Sequence, residues 1–270
     1  MSVSKSILRS GVAGLGVPYG LERSCKLTAG KVFGDRFLLS VHRNALKPDP
    51  LGRILDLLAP VGVPDMLAQQ LEREFAGTDV VHFGYEAADG GDICKVYFEH
   101  VESVRRALRG SQSPDRPTLV HRAWKWRLPA SDGFSVTDYT WRRNAPGESV
   151  TDRIARLCAP LGAAHPSARA VAAVRKLAGS NVRFDDLMLL EVQEEGTVRH
   201  SFDLNLYPAE LTVRGIAPVI DQLGKDFGLP RGQIGAVFDS VPDLALGHIS
   251  GGSGRDGAPF VTIYFGVEAC

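Results

Sequence analysis

Residues 93–100 read Ile-Cys-Lys-Val-Tyr-Phe-Glu-His, and this alternation of polar and apolar side chains is the clearest structural signal in the chain. Successive side chains of a β-strand point to opposite faces of a sheet. In such a strand Lys95 and Tyr97 share one face, whereas Val96 and Phe98 share the other. The stretch therefore predicts a strand with one polar and one apolar face.

The same pattern recurs at four other places along the chain. Each instance has a polar residue, then a spacer, then a ring with a polar tip. The five instances are Ser40-Val41-His42, Lys95-Val96-Tyr97, Thr137-Asp138-Tyr139, Asn205-Leu206-Tyr207 and Thr262-Ile263-Tyr264. Four of the six tyrosines of the chain occupy this one position. Because an internal repeat determines architecture, it takes precedence over local signals.

Each instance lies in the second strand of a predicted β-hairpin, and glycine-containing turns separate the two strands. The first hairpin is predicted to consist of Cys25–Phe33 and Arg36–Arg43. The five turns are Gly34-Asp35, Ala88-Asp89-Gly90-Gly91, Ser131-Asp132-Gly133, Glu194-Glu195-Gly196 and Gly251–Gly257. Helices are predicted between the hairpins, over Leu51–Ala59, Asp65–Ala76, Val101–Arg109, Ser149–Ala159, Ser167–Ala178, Val213–Phe227 and Arg231–Val241.

Ten strands with helices against one face can bury that face and remove the sheet edges by closing on themselves. The helices then lie outside, and the polar face lines a lumen. The predicted fold class is α+β, a closed ten-stranded antiparallel β-barrel ringed by helices. Residues 1–20 are rich in glycine and serine and are predicted to form an irregular arm, whereas residues 21–270 are predicted to form a single barrel domain.

Composition narrows the classes of function. The 31 Lys and Arg residues balance the 31 Asp and Glu residues, so the formal net charge is zero. Proteins that bind nucleic acids or membrane surfaces carry an excess of basic residues, and neither partner is expected here. The four cysteines show no Cys-x-x-Cys spacing, and no long apolar run suggests a membrane span or signal peptide. We therefore expect a cytoplasmic protein.

Three stretches carry a resemblance to a known family. Leu21–Leu27 (LERSCKL), followed by Val32–Leu38 (VFGDRFL), resembles the opening strands of the cyanobactin-type peptide prenyltransferases. Ser201–Leu211 resembles the fourth hairpin of the same enzymes. Lys95-Val96-Tyr97 resembles the Lys-x-Tyr found in the second hairpin across the wider superfamily of αββα (ABBA) prenyltransferase barrels. The resemblance covers residues 21–267.

The resemblance implies a prenyltransferase, an enzyme that ionises an isoprenyl diphosphate and adds the allylic cation to an electron-rich acceptor. It implies transfer of a dimethylallyl or geranyl group to a Tyr, Trp, Ser/Thr or Arg side chain of a ribosomal peptide, which can be macrocyclic. Two alternatives stay open. One is a prenyltransferase for a small aromatic compound or a free amino acid, and the other is a non-catalytic barrel that binds an amphipathic ligand.

No organic cofactor is expected, and Mg²⁺ is expected to be held through the diphosphate. No residue is assigned as a metal ligand. Asp185-Asp186 is followed by Leu187-Met188-Leu189 and does not match the Asp-rich motif of helical prenyl synthases. Gly251–Gly254 lacks the Gly-Lys-Ser/Thr of a phosphate loop.

The candidate site residues follow from the resemblance and from the chemistry of the donor. Glu22 lies where the peptide prenyltransferases carry their acidic base, so the resemblance implies that it accepts the proton. Lumen-facing cations and hydrogen-bond donors can hold a diphosphate, and the residues assigned to it are Arg36, Lys95, Lys125 and Asn205. Tyrosine rings can shield the allylic cation and exclude water, and the assigned rings are Tyr97, Tyr139, Tyr207 and Tyr264. Further candidates are His42 and His248, whereas Trp124, Trp126 and Trp141 are predicted to be core residues.

Overall fold

The structure is a computed structural model that describes residues 2–110, 116–129, 133–145, 147–162, 165–180, 182–199 and 201–270. Within these residues, eleven β-strands form one antiparallel sheet. The strands are β1 (Gly20–Thr28), β2 (Lys31–Phe33), β3 (Arg36–His42), β4 (Val80–Glu86), β5 (Ile93–Glu99), β6 (Thr118–Arg127), β7 (Phe134–Trp141), β8 (Leu189–Glu194), β9 (Ser201–Asn205), β10 (Leu246–Ser253) and β11 (Pro259–Ala269).

The sheet closes into a barrel. From β3 to β11 each strand pairs with the next along the chain, β3 also pairs with β1, and β11 pairs with β1 to complete the circle. The short strand β2 pairs with the last three residues of β1 beside this circle. Ten strands therefore form the barrel wall, which confirms the predicted closed ten-stranded antiparallel architecture.

Helices cover the outer face of this wall. In the described part of the chain they are α1 (Val3–Gly14), α2 (Pro50–Leu58), α3 (Asp65–Glu74), α4 (Val101–Arg109), α5 (Val150–Cys158), α6 (Pro166–Ala178), α7 (Ala217–Asp226) and α8 (Arg231–Phe238). The first three helices pack on the outer face of β1 and β3–β6, and the last four pack on that of β8–β11. No helix among the described residues is both long enough and apolar enough to cross a bilayer.

Alternation along the strands decides which side chains meet the helices. Val96 and Phe98 of β5 are fully buried in the outer core, whereas Lys95 and Tyr97 face the lumen. Burying one large apolar side chain stabilises a fold by about 1.5–3 kcal/mol, so this choice of face is strongly specified. The tryptophans follow the prediction: Trp124 and Trp126 are buried in the outer core, and Trp141 packs against a small cluster of Val104, Val120 and Leu190.

The N-terminus is more ordered than predicted. The irregular arm expected over residues 1–20 contains the helix α1, and β1 already begins at Gly20. Leu8 and Val12 lie four positions apart on one face of α1, and both are fully buried. The glycine and serine content obscured this helix, because the packing of an apolar stripe outweighs a weak intrinsic propensity.

The buried face of α1 leads to a stability prediction. Val12→Ala is expected to lower the free energy of unfolding by about 1.5–2.5 kcal/mol, because two buried carbon atoms are lost and a cavity remains. Urea denaturation followed by circular dichroism measures the change. Val3 lies on the same helix but is 74% exposed, so Val3→Ala is expected to stay within about 0.5 kcal/mol of the wild type. Equal stability of the two variants would show that α1 is not docked on the barrel.

The first hairpin also differs from its prediction. The strand expected over Cys25–Phe33 is two strands, because the chain turns at Gly30, which has a φ of +68°. Glycine adopts this backbone conformation without the steric cost that other residues meet. The earlier start of β1 places Glu22 within the barrel wall. In the third hairpin, the predicted turn residues Ser131 and Asp132 lie outside the described residues.

Candidate active site

The barrel encloses a cavity of about 640 Å³. It reaches the barrel end at which β3, β5 and β11 begin, where the loop residues Asp89 and Arg255 line it. We call this end the mouth and the opposite end, where β1 begins and β5 finishes, the far end. Every strand of the barrel contributes to the cavity wall, for example through Lys26, Arg36, Glu86, Lys95, Lys125, Tyr139, Glu194, Asp203, Ser250 and Tyr264.

Positive charge is concentrated at the mouth. Eight Lys and Arg residues line the cavity against five Asp and Glu residues, whereas the whole chain is balanced. The predicted Arg36, Lys95 and Lys125 come together here, and Lys95 lies opposite Lys125 in the register of β5 and β6. Lys26 and Arg199 join them. An enclosed excess of cations of this kind attracts anions.

A carboxylate that sequence reasoning missed lies between two of these cations. Oε2 of Glu86 is 2.7 Å from Nη1 of Arg36 and also accepts a hydrogen bond from Nζ of Lys95. Burial alone would raise the pKa of Glu86, but the two cations hold it well below its usual range. At Lys95 burial dominates and lowers the pKa to about 8, although Glu86 opposes the shift. Glu86 thus holds both cations in place around one point.

Lys125 has no such counter-charge. No ion pair or hydrogen bond of its Nζ is present in the part of the chain that the structure describes, and burial together with Lys95 and Arg199 holds its pKa well below the usual range. Arg199 pairs with Glu194, with 3.4 Å between Nη1 and Oε2, and its guanidinium lies 5.1 Å from the ring centroid of Phe260. An anion that enters the mouth would supply the partner that Lys125 lacks.

Three of the four predicted tyrosines lie deeper in the cavity. Tyr97, Tyr139 and Tyr264 line it, and the ring centroids of Tyr97 and Tyr139 are 5.9 Å apart. Tyr97 follows Lys95 by two residues on β5, a distance of about 7 Å along a strand. Burial raises the pKa of all three hydroxyls, that of Tyr139 to about 12. Each tyrosine therefore keeps its proton at neutral pH and can donate a hydrogen bond.

The fourth tyrosine has a different position. The strand β9 ends at Asn205, and Tyr207 lies in the turn beyond it, where its hydroxyl donates a hydrogen bond to Oε1 of Glu22. A Cβ atom at Gly247 would lie 2.4 Å from this Oε1 and 2.7 Å from the Tyr207 hydroxyl oxygen. The close approach of the two side chains therefore requires glycine at position 247. Tyr207 is a partner of Glu22 rather than part of the cavity wall.

Glu22 lies toward the far end of the lumen, four residues before Lys26 on β1 and hence about 13 Å from it. Burial raises the pKa of Glu22, whereas His248 and Tyr207 oppose the shift. Nδ1 of His248 is 2.6 Å from Oδ1 of Asp203. Burial disfavours the charged imidazole, but Asp203 and Glu22 outweigh it and raise the pKa of His248 to about 9. The predicted candidate His248 is thus an imidazolium at neutral pH, paired with Asp203 of the cavity wall.

Two predicted residues are not brought to the cavity. Oδ1 of Asn205 accepts a hydrogen bond from the backbone N–H of Tyr207 at 3.1 Å, so this side chain stabilises the turn after β9. His42 is the last residue of β3, and its side chain is exposed at the far end of the barrel. Strand alternation puts both residues on the face of the sheet that lines the lumen. Both lie at the ends of their strands, however, where the barrel wall no longer encloses their side chains.

Lys26 and Glu86 were missed because neither belongs to the repeated pattern of the second strands and strand alternation was not followed through their own strands. Lys26 lies on the same face of β1 as Glu22, and Glu86 lies on the same face of β4 as His82. The same alternation rule applied to first strands would have placed both side chains in the lumen.

No family model and no curated protein matches the chain. Solved structures are similar to it. The 5-dimethylallyltryptophan synthase from Streptomyces coelicolor has a TM-score of 0.60 and 14% sequence identity, over 91% of this chain and 80% of that chain. AnaPT from Neosartorya fischeri has a TM-score of 0.51 and 11% identity, over 91% and 77%. NotF in complex with brevianamide F and DMSPP has a TM-score of 0.52 and 12% identity, over 91% and 79%. The fold is the αββα prenyltransferase barrel.

Proposed function

We propose that the protein is a prenyltransferase that moves a dimethylallyl or geranyl group from its diphosphate to an electron-rich amino-acid side chain. One observation carries the proposal: cations, tyrosines and a partly buried carboxylate follow one another along a single lumen. Lys26 and Glu22 are about 13 Å apart along β1. This length accommodates a diphosphate, an allylic chain and an acceptor in line.

The cations of the mouth serve the donor. When the bond between the allylic carbon and the diphosphate oxygen breaks, the electron pair leaves with the diphosphate and increases its charge. Arg36 offers a planar pair of N–H donors, and Lys95 and Lys125 add point charges. Arg36 and Lys95 are buried, which strengthens their attraction for the leaving diphosphate. Glu86 is already engaged by Arg36 and Lys95, so Mg²⁺, if it accompanies the donor, would be held by the diphosphate rather than by this carboxylate.

The tyrosines and Glu22 serve the allylic cation and the acceptor. The faces of Tyr97, Tyr139 and Tyr264 attract the positive charge and keep water from quenching it. The acceptor atom forms the new bond to the allylic carbon and loses one proton, which Glu22 takes up. Burial raises the pKa of Glu22 and so makes it a stronger base than an exposed carboxylate.

We extend the proposal to the acceptor, a Tyr, Trp, Ser/Thr or Arg side chain of a ribosomal peptide that can be macrocyclic. The resemblance of residues 21–38 to the cyanobactin-type peptide prenyltransferases supports this choice. A second candidate, a small aromatic compound or a free amino acid, is favoured by the similarity to a dimethylallyltryptophan synthase. A cytoplasmic location is part of the proposal, supported by four cysteines that are all unpaired thiols.

A mass-spectrometric assay tests the proposal. The protein is incubated with dimethylallyl or geranyl diphosphate and with linear peptides, cyclic peptides and free amino acids that each present one acceptor type. A mass gain of one prenyl group on peptides supports peptide prenylation, and a gain confined to free amino acids supports the second candidate. A diphosphate that binds but stays intact with every acceptor would indicate a carrier for an amphipathic ligand and overturn the proposal.

The pKa of Lys95 predicts how donor binding depends on pH. The pKa of about 8 means that Lys95 is charged below pH 8 and loses its proton above it. The groups that face Lys95 are Glu86 from β4, Arg36 from β3, Lys26 from β1 and Lys125 from β6. A bound diphosphate favours the charged lysine, so the affinity is expected to fall above pH 8 by up to about tenfold per pH unit.

Calorimetry with a non-hydrolysable prenyl diphosphate analogue between about pH 6.5 and 9.5 measures this dependence. In Lys95→Met the fall above pH 8 is expected to be smaller than in the wild type. An affinity that stays constant up to the highest pH would show that Lys95 does not contact the diphosphate.

A further inference from the structure

A second group of polar side chains lies at the far end of the lumen. His82, Glu99 and His121 belong to the successive strands β4, β5 and β6, and Glu99 lies opposite His121 in register. One donor atom from each, a ring nitrogen or a carboxylate oxygen, lies within 4.8 Å of the other two. The prenyl transfer proposed above assigns no role to any of them.

Hydrogen bonds orient the side chains of His82 and Glu99, whereas one ring nitrogen of His121 lacks a hydrogen-bond partner among the described residues. Nε2 of His82 is 2.9 Å from Oε2 of Glu99, and its Nδ1 is 2.7 Å from Oγ of Ser40. Nδ1 of His121 is buried and has no hydrogen-bond partner in the described part of the chain. Buried polar atoms are rarely left unsatisfied, so the environment of His121 needs an explanation. An ion pair between His82 and Glu99 does not supply one.

We propose that His82, Glu99 and His121 form a binding site for a divalent transition-metal ion, with Zn²⁺ as its representative. Two imidazoles and one carboxylate are the ligand set of zinc sites that keep a fourth position open. This mixed nitrogen and oxygen set suits Zn²⁺ and similar ions, whereas Mg²⁺ prefers oxygen ligands alone. Ser40 would fix the orientation of His82, as outer partners of metal-bound histidines commonly do.

The site meets the geometric and chemical demands of such an ion. A tetrahedral site with bonds of about 2.0–2.2 Å has donor atoms about 3.4 Å apart. The donor atoms here lie within 4.8 Å of one another, so no pair has to approach by more than about 1.4 Å. The side chain of Glu99 is 24% exposed, which leaves its carboxylate room to rotate.

The open position of the metal would face the lumen. The ring centroid of Tyr97 lies 6.1 Å from that of His82, and the centroid of Tyr139 lies 5.8 Å from that of His121. A heteroatom of a molecule bound beside these tyrosines could complete the coordination shell. This inference does not depend on the proposed prenyl transfer, because the metal site uses neither the mouth cations nor Glu22.

Metal titration tests the site without any substrate. Tag-free protein carrying Cys270→Ser, which removes the exposed thiol, is dialysed against a chelator and titrated with Zn²⁺ by calorimetry. We expect one equivalent to bind, and we expect Glu99→Gln and His121→Gln each to weaken binding by at least about 100-fold. His42→Ala removes an exposed histidine of β3 and is expected to bind like its parent. Co²⁺ in place of Zn²⁺ should give the visible absorption of a four-coordinate site.

Two results would overturn the inference. One is the absence of stoichiometric binding, and the other is binding of equal strength in the parent and in both ligand variants, which would mean adventitious surface sites. Circular dichroism in the presence of a chelator confirms that the variants are folded. If one ligand variant fails to fold, the other decides the test, because the two residues lie on different strands and each supplies one donor atom.

Discussion

Replacing Glu22 with glutamine is expected to lower the turnover of prenyl transfer by about 10²–10⁴-fold while leaving the affinity for the donor unchanged. Glutamine keeps the shape of the side chain and can still bond to the Tyr207 hydroxyl, but it cannot take up the acceptor proton. Arg36 donates a hydrogen bond to Oγ of Ser24, two residues beyond Glu22 on β1, and Lys26 lies two residues further toward the mouth. A neutral amide of the same shape at position 22 touches neither cation and leaves both in place. The paired measurement is turnover with the acceptor found by the mass-spectrometric assay and calorimetric affinity for a non-hydrolysable donor analogue.

Glu268→Gln is the matched control. Glu268 lies opposite Leu21 in the register of β11 and β1, but its side chain is exposed and pairs with Arg23 at the surface. Loss of a surface ion pair costs about 0–1 kcal/mol, so this variant is expected to turn over like the wild type. An indole carbon reacts before its proton leaves, and with such an acceptor the effect of Glu22→Gln shrinks. Full activity of Glu22→Gln on a phenol or a guanidinium would remove Glu22 from the mechanism.

Arg36→Ala and Lys95→Ala are each expected to weaken binding of the donor analogue by about 10- to 150-fold. A charge-assisted contact with a buried anion contributes about 1.5–3 kcal/mol, and each variant removes one such contact. The structure indicates that both variants fold, because Glu86 keeps the other cation as a partner in each case. Calorimetry with the analogue at about pH 7, below the pKa of Lys95, measures the effect.

One control separates the charge of the mouth from general damage. Lys225→Ala removes an exposed lysine of α7 and is expected to change nothing. Wild-type affinity in both Arg36→Ala and Lys95→Ala would place the diphosphate elsewhere in the molecule.

Much of the lumen could be predicted because strand alternation is a local property. The covalent geometry of an extended chain puts Lys95 and Tyr97 on one face, whatever lies across the barrel. The repeat of this pattern over five hairpins, with helical segments between them, was enough to predict the closed barrel and the side that the helices cover. The core positions of Trp124 and Trp126 follow from the same alternation.

The N-terminal helix shows where such local reasoning ends. Residues 3–14 carry weak helix formers, so their own preference is small, and the prediction of an irregular arm was wrong. The helix is stable because the barrel offers an apolar surface to Leu8 and Val12. That surface is formed by strands that are distant in the sequence, so the residues near position 10 carry no information about it.

The contacts that define the candidate site depend on how the strands pair with one another. Tyr207 reaches Glu22 across 185 residues, and Glu86 meets Arg36 and Lys95 from a different strand than either. Alternation predicts which face of the sheet a side chain occupies. Which side chains lie at the same height in the barrel depends on the stagger between strands, and the packing of the whole sheet and its helices determines that stagger. Strand alternation therefore determines which residue types line the lumen. The register of neighbouring strands brings Glu86 to Arg36 and Lys95 and groups His82, Glu99 and His121. The pairing of Glu22 with Tyr207 arises only when the tenth strand closes on the first.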